Sequence, residues 1–177
     1  MQCHADYMGG TMEISYRAAT INDLDDIFQL VDNAIKQMER DNIHQWDSVY
    51  PTKEDFSNDI GKKELYIGII NEKIVAVYAL NKECDEQYKN GEWKYIGDNF
   101  RVIHRLCVAP NFQNKGIAQK TLLHIELELK SLGVQAIRLD VFCENPYAMK
   151  LYSNSDYHRV CIAHWRKGEF LLMEKLL

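Results

Sequence analysis

Gln113-Asn114-Lys115-Gly116-Ile117-Ala118 lies between a strand-forming run that ends at Val108 and a helical pattern that begins near Ile117, and the fold turns on how it is read. Gly116 has no Cβ, so the backbone can approach a ligand closely, and it stands where the first N–H groups of a helix lack an internal partner. A helix dipole adds roughly 0.3 to 1 kcal/mol per favourable charge at that end, and Lys115 brings a mobile cation beside it. The loop is read as a cradle for a pyrophosphate. It is not a P-loop, because Gly116-Ile117 is not followed by Lys-Ser/Thr.

Working outward, Ala118, Leu122, Ile125, Leu129 and Leu132 repeat at four-three-four-three spacing, so this helix lays an apolar stripe on a sheet, and Gly133 supplies a left-handed stop. Ile137, Leu139 and Val141 alternate as the next strand, Pro146 suits the first position of another helix, and closing strands run near His158 to Ala163 and Phe170 to Leu176. Upstream, Arg101 to Val108 is a strand. Leu65 to Ile70 and Ile74 to Leu80 form a hairpin around Asn71-Glu72-Lys73, and the second run is apolar enough to be central. Between hairpin and strand, Asn81 to Asp98 is polar and irregular, a candidate flap over a substrate.

Ile14, Tyr16 and Ala18 alternate as a first strand. Thr20 with Asp23 and Thr52 with Asp55 then resemble capping boxes at two helix starts, the first helix running to about Arg40 on Leu24, Ile27, Phe28, Val31, Ile35 and Met38, the second ending at Gly61. Residues 1–11, with Gly9-Gly10, show no periodicity and read as an extension, leaving 12–177 as a single domain with Met12 as a candidate natural start. The order β-α-α-β-β-β-α-β-α-β-β makes an α/β (α+β) fold of about seven strands and four helices.

The 177 residues are 46% hydrophobic, enough for one sizeable core, and no stretch approaches the roughly 20 apolar residues of a membrane span. Neither a signal-peptide core nor a spanning segment is visible, so the expectation is a cytoplasmic protein. Net charge is −5, which argues against nucleic acid as the main partner, but it is unevenly spread. Residues 1–100 hold 10 Lys/Arg and 19 Asp/Glu, while residues 101–177 hold 11 and 7, so the two parts carry −9 and +4. The second part suits an anionic ligand, and the first a cationic amine or simply solvated helix faces. Cys3, Cys84, Cys107, Cys143 and Cys161 are scattered and form no Cys-x-x-Cys pair, and no metal site is expected. Cys107, Cys143 and Cys161 read as small hydrophobes in strands or at their ends.

The run from Arg105 to Tyr157 resembles the cofactor half of the GCN5-related N-acetyltransferases, which move acetyl from coenzyme A to an amine. The family signature Gln/Arg-x-x-Gly-x-Gly/Ala is matched by Gln113, Gly116 and Ala118 after the strand Arg105-Leu106-Cys107-Val108-Ala109-Pro110. About 30 residues on, Asn145-Pro146-Tyr147-Ala148-Met149-Lys150-Leu151-Tyr152 resembles a second family motif. The chain departs from the pattern at Asn114, often Arg, at Ala118, and at Asp156-Tyr157 where the family has Gly-Phe. That last change removes the glycine expected to cap the helix. The resemblance implies a mixed, mostly antiparallel sheet with two parallel strands splayed to admit the pantetheine arm. It also implies acetyl-CoA as co-substrate, an amine acceptor, no nucleic acid or membrane partner, and leaves room for a homodimer.

It implies site residues too. Backbone of Leu106 and Val108 would pair with pantetheine, although core packing of their side chains is an equal reading, and Gln113, Asn114, Lys115, Gly116, Ile117 and Ala118 would hold the diphosphate. Tyr152 matches the family tyrosine that protonates the leaving thiolate. Asn145, two helical turns earlier, is either an N-cap worth about 1 kcal/mol or a ligand of the pantetheine amides. Asp140 matches the acidic base of the ribosomal-protein N-terminal acetyltransferases. His104 is a second candidate base on its unperturbed pKa near 6.5, and water a third. Trp46, Tyr50, Trp93 and Tyr157 are large rings off the helical stripes and are candidates for the acceptor pocket. The activity expected is direct N-acetyl transfer to a primary amine of a small molecule or peptide terminus, with a non-catalytic acyl-CoA sensor as the alternative.

Overall fold

A computed structural model describes residues 13–177, so the expectations for residues 1–11 and for Met12 fall outside the described residues. Seven strands make one sheet: β1 (Ser15–Ala18), β2 (Leu65–Ile70), β3 (Lys73–Asn81), β4 (Phe100–Val108), β5 (Ala136–Phe142), β6 (His158–Trp165) and β7 (Gly168–Leu176), in the spatial order β1-β2-β3-β4-β5-β7-β6. All neighbours are antiparallel except β4 and β5. Four helices flank the sheet: α1 (Leu24–Arg40), α2 (Lys53–Gly61), α3 (Ile117–Ser131) and α4 (Pro146–Asn154). This is the mixed α/β architecture anticipated from the pattern.

Local chemistry sets the helix ends. Thr52 N donates to Asp55 Oδ2 at 2.7 Å while Asp55 N donates to Thr52 Oγ1, a reciprocal box that starts α2. At α1 the same pairing, Thr20 N to Asp23 Oδ2 at 2.7 Å, opens a 3₁₀ turn over Ile21–Asp23 that leads into the helix. Gly133 stops α3 with φ +75, as expected. Leu132 does not join the stripe, because it lies past the last turn and is 70% exposed. The end of α4 needs no glycine: Asp156 takes the left-handed position itself, φ +63, and Tyr157 N closes the turn onto Tyr152 O at 3.1 Å. Aspartate tolerates that conformation better than most side chains.

The sheet has two covered faces. On one, α3 and α4 bring Leu122, Ile125, Leu129 and Tyr152 onto Ile103, Ile137, Leu139, Val141 and Met173. On the other, Ile27, Val31 and Phe56 of α1 and α2 pack on Leu65, Ile67, Val77 and Ala79. Each large aliphatic side chain buried this way contributes about 1.5–3 kcal/mol. The polar excursion after β3 covers the remainder of this second face. Tyr88, in a 3₁₀ turn at Glu86–Asn90, packs with Val102, Ala163 and Leu172, and Trp93 Nε1 donates to Tyr88 O at 2.9 Å.

Two irregularities in the middle of the sheet make the site. Along β4, Ala79 faces His104 but Val77 faces Cys107, so three steps of β4 oppose two of β3 and one residue is extra. Arg105 absorbs it with φ +53. Strand parity flips there: Ile103 belongs to the α3/α4 face and Cys107, four residues on, to the opposite one. Pairing between β4 and β5 also stops early, at Val102↔Arg138, although β4 runs on to Val108 and β5 to Phe142. The inner edges of residues 103–108 and 139–142 are left to a cleft.

Candidate active site

The cleft has a volume of about 1290 Å³ and joins both faces of the sheet through the gap between β4 and β5. At one end lies the turn into α3. Asn114 and Gly116 are both left-handed, φ +58 and φ +74, which turns successive N–H groups toward the same side. The N–H groups of Asn114, Lys115, Gly116, Ile117, Ala118 and Gln119 reach no acceptor among the described residues; Lys120 N is the first to do so, bonding Gly116 O at 3.0 Å. A Cβ on Gly116 would meet nothing within 4 Å, so the space in front of the fan is open. Such a turn fits an anion of diphosphate size. Gln113 holds the loop to its strand, Nε2 donating to Val108 O at 3.1 Å, and Lys115 Nζ donates to Asn111 O at 2.9 Å over the Phe112 ring. Leu106 and Val108 line the cleft between fan and bulge.

Tyr152 enters from α4. It is 7% exposed, lines the cleft, stacks edge-on to Tyr157, and its hydroxyl has no hydrogen-bond partner among the described residues. Burial raises its pKa, and the charge of Asp140 raises it further, so it is a protonated donor at neutral pH. Asn145 caps α4, its Oδ1 accepting from Ala148 N at 3.0 Å, while its Nδ2 donates to Gln45 Oε1 at 2.8 Å. Both ends of that amide are engaged within the protein. The geometry gives Asn145 the N-cap role, and Nδ2 carries a second hydrogen beyond the one given to Gln45 on a side chain that lines the cleft.

Asp140 points away from Leu139 and Val141 to the face under the excursion, where Tyr88 donates its hydroxyl hydrogen to Oδ2 at 2.8 Å. Burial pushes its pKa up to about 6; the Tyr88 bond and the Arg105 charge pull it down, and the Asp85 charge pushes it up. His104, two residues along the exposed β4 edge, goes the other way. Burial and the neighbouring Arg105 charge lower it to about 4, and its Nε2 sits 3.0 Å from Asn81 Oδ1, which marks Nε2 as the protonated nitrogen. A proton acceptor works best when its pKa lies near the working pH. That criterion separates the two candidates, because about 6 is useful at neutrality and about 4 makes a weak base. Neither pairs with an arginine: Arg105 bonds Asp59 and, at 2.8 Å, the Tyr50 hydroxyl, while Arg138 pairs with Glu174.

Of the four rings expected in the acceptor pocket, Trp46 and Tyr50 line the cleft, on the side of α1 and α2. Trp93 and Tyr157 do not line it. Trp93 lies over the Arg138 guanidinium, 4.2 Å from its ring centroid, and Tyr157 is 4% exposed in the α3/α4 core. Both were placed by ring size alone, and large rings are as readily core as pocket. Sequence reading missed Tyr88, Gln45 and the Arg105–Asp59 pair, since each is a contact between segments far apart in the chain. The polar Asn81–Asp98 stretch was the available signal for Tyr88.

Comparison with known proteins fits this geometry. Residues 28–157 match the model of the acetyltransferase (GNAT) family. No curated protein matches the sequence. Among solved structures, a Staphylococcus aureus Mu50 protein described as an acetyltransferase is 27% identical, with a TM-score of 0.72 over 91% of this chain and 97% of that one. A GNAT-family acetyltransferase of Streptococcus agalactiae 2603 is 21% identical, with a TM-score of 0.83 over 93% and 95%. The PaiA N-acetyltransferase of Thermoplasma acidophilum, solved in complex with coenzyme A, is 20% identical, with a TM-score of 0.69 over 94% and 100%. With a family model covering most of its length and a cleft built from the elements that model spans, this chain belongs to the acetyltransferase (GNAT) family.

Proposed function

We propose that residues 12–177 act as a single acetyl-CoA-dependent N-acetyltransferase domain that transfers acetyl directly to a primary amine of a small molecule or a peptide terminus. One observation carries the reading. A fan of unbonded N–H groups at one end of the cleft shares that cleft with a carboxyl held near pKa 6 and a tyrosine held protonated. Groups whose environments set such different proton affinities are suited to opposite roles in one transfer.

Residues 114–118 would receive the diphosphate, and the β4 edge at Leu106 and Val108 would pair with the pantetheine amides. Acetyl-CoA supplies a thioester, whose carbonyl gains negative charge when an amine adds to it. Backbone N–H groups at the Arg105 bulge are fixed beforehand and suit that charge. Asp140 takes one proton from the incoming ammonium, Tyr152 gives its own to the departing thiolate, and the second proton that nitrogen loses as the amide forms restores the Tyr152 hydroxyl. Burial favours both steps: it leaves Asp140 a stronger base than a free carboxylate and keeps Tyr152 neutral until the thiolate forms. The acceptor enters on the face carrying Glu83, Asp85 and Asp140, which favours a cationic amine. Among the described residues, no helix is long and apolar enough to cross a membrane. A cytoplasmic setting is part of the proposal.

The test is a thiol-release assay over a panel of amines with Tyr152→Phe. General acid catalysis contributes about 10²- to 10⁴-fold, so kcat should fall by that factor while coenzyme A affinity stays. Unchanged turnover in the variant would remove Tyr152 as proton donor, and no release with any amine would remove the transferase reading.

A further inference from the structure

The excursion between β3 and β4 reaches Asp140 through one hydroxyl, and it is bolted down so that the hydroxyl has little freedom. Arg138 and Glu174 are direct partners across β5 and β7, and the buried pair does more than neutralise itself. Glu174 Oε2 accepts from Lys94 N at 2.8 Å and from Tyr95 N at 3.3 Å, while Arg138 Nη2 donates to Tyr95 O at 2.6 Å. The guanidinium lies between the Trp93 and Phe100 rings, at 4.2 and 3.9 Å from their centroids. Trp93 in turn stacks on Tyr88 at 5.5 Å and donates to its carbonyl. Tyr88 is 3% exposed and its hydroxyl meets Asp140.

We propose that Tyr88 is a positioning residue of the reaction: held by this clamp, its hydroxyl fixes the orientation of the Asp140 carboxylate and its affinity for the proton of the acceptor amine. The proposal rests on Asp140 being the proton acceptor. The flap expected over the substrate is, on this reading, the roof over the base. Asp140 is faced by Tyr88, Asp85 and Cys84 from the excursion, by Arg105 from β4, by Tyr50 from the segment before α2 and by Tyr152 from α4. Of these, Tyr88 donates to Asp140 directly and favours its ionised form, while Asp85, in the same segment, opposes ionisation.

The two neighbours therefore make opposite predictions. Tyr88→Phe keeps the ring against Trp93 and removes only the donor, so the Asp140 pKa should rise by about one to two units, the range of a hydrogen bond to a buried charge. Asp85→Asn should lower it by a few tenths. Opposite shifts from two positions of one segment cannot both arise from loosening of that segment. Carbon-13 NMR titration of the Asp140 carboxyl reads the shift without reference to activity, and the acid limb of kcat/KM reads its consequence. In Tyr88→Phe, kcat/KM should fall about 5- to 50-fold at pH 6 and return toward the parent value above pH 9. An Asp140 pKa that does not move in Tyr88→Phe overturns the proposal. A pKa that moves while the acid limb stays fixed shows instead that Asp140 is not the proton acceptor, and the role of Tyr88 in the reaction falls with it.

Discussion

Gly116→Ala separates what the loop does from what its backbone costs, because the fold contains its own control. Gly116 and Gly133 have the same left-handed φ, +74 and +75, and a Cβ on either would meet nothing within 4 Å. A residue with a Cβ in that conformation costs about 1–2 kcal/mol, and for a chain of this size each kcal/mol moves the unfolding midpoint by about 2–4 °C. Both alanine variants should therefore melt about 2–8 °C below the parent. Their effect on coenzyme A should differ. Gly133 follows the far end of α3 and takes no part in the cleft, whereas Gly116 sits at the centre of six unbonded N–H groups with open space before it. Relief of the strained φ at position 116 re-aims those groups, and the new methyl group stands where the diphosphate would come. Losing one hydrogen bond to a charged group costs about 1.5–3 kcal/mol, or about 10- to 150-fold in Kd. Calorimetric titration with coenzyme A, beside thermal unfolding without it, reads both effects. Equal Kd values for the two variants, or a parent-like Kd for Gly116→Ala, would refute the assignment of the diphosphate to this turn.

Other predictions concern single groups. Asp140 has a folded pKa near 6 against about 4 when unfolded, so the stability its neutral form contributes is complete below pH 4 and lost as pH rises through 6. Asp140→Asn should gain on the parent by about 2–3 kcal/mol between pH 4 and pH 8 while losing turnover; a gap in unfolding midpoint that stays constant with pH would contradict the burial argument. Glu174→Gln leaves the Arg138 charge buried without a counter-charge and should cost about 3–5 kcal/mol, read from the midpoint of urea unfolding. Among the described cysteines, Cys84 is exposed whereas the Cys107 thiol is buried and pushed up to about 12. Iodoacetamide at pH 8 should label Cys84 and spare Cys107, as mass spectrometry of the digested protein would show; rapid labelling of Cys107 would mean the β3–β4 region opens.

The sequence carried the parts of the fold whose signals are local. Capping boxes at Thr20 and Thr52, the Gly133 stop and the α3 stripe are patterns within a few turns of one helix, and the structure has them, the stripe ending at Leu129 instead of Leu132. The left-handed turn at Gly116 that opens α3 was readable for the same reason. What escaped was non-local or carried by an unexpected residue. An arginine in left-handed conformation gives no composition signal, so the β4 bulge that turns Arg105 toward Tyr50 and Asp59 could not be placed. The pKa values followed from that. His104 looks like a base in sequence because imidazole titrates near neutrality, and only its burial beside Arg105 removes the advantage. Asp140 looks like a surface carboxylate until Tyr88 arrives from 52 residues upstream.

The placement of Arg138 explains how a sheet can part without coming apart. β4 and β5 pair as far as Val102↔Arg138, and beyond that point their edges stay unpaired and line the cleft. Unpaired strand edges inside a protein invite either closure or fraying, so the last paired residue carries the mechanical load of the fork. An arginine there cannot be hydrophobic filler: burying its charge is costly, and it is offset by Glu174 across β7, by the Tyr95 carbonyl and by two aromatic faces. Two apolar residues of equal volume would pack β5 on β7 as well, at no desolvation cost. They could not reach over the sheet to hold residues 93–95, and without that hold Tyr88 would have no fixed place above Asp140. The buried ion pair is therefore better understood as orientation than as stability. It ties the point where the cleft begins to the segment that roofs the carboxylate inside it.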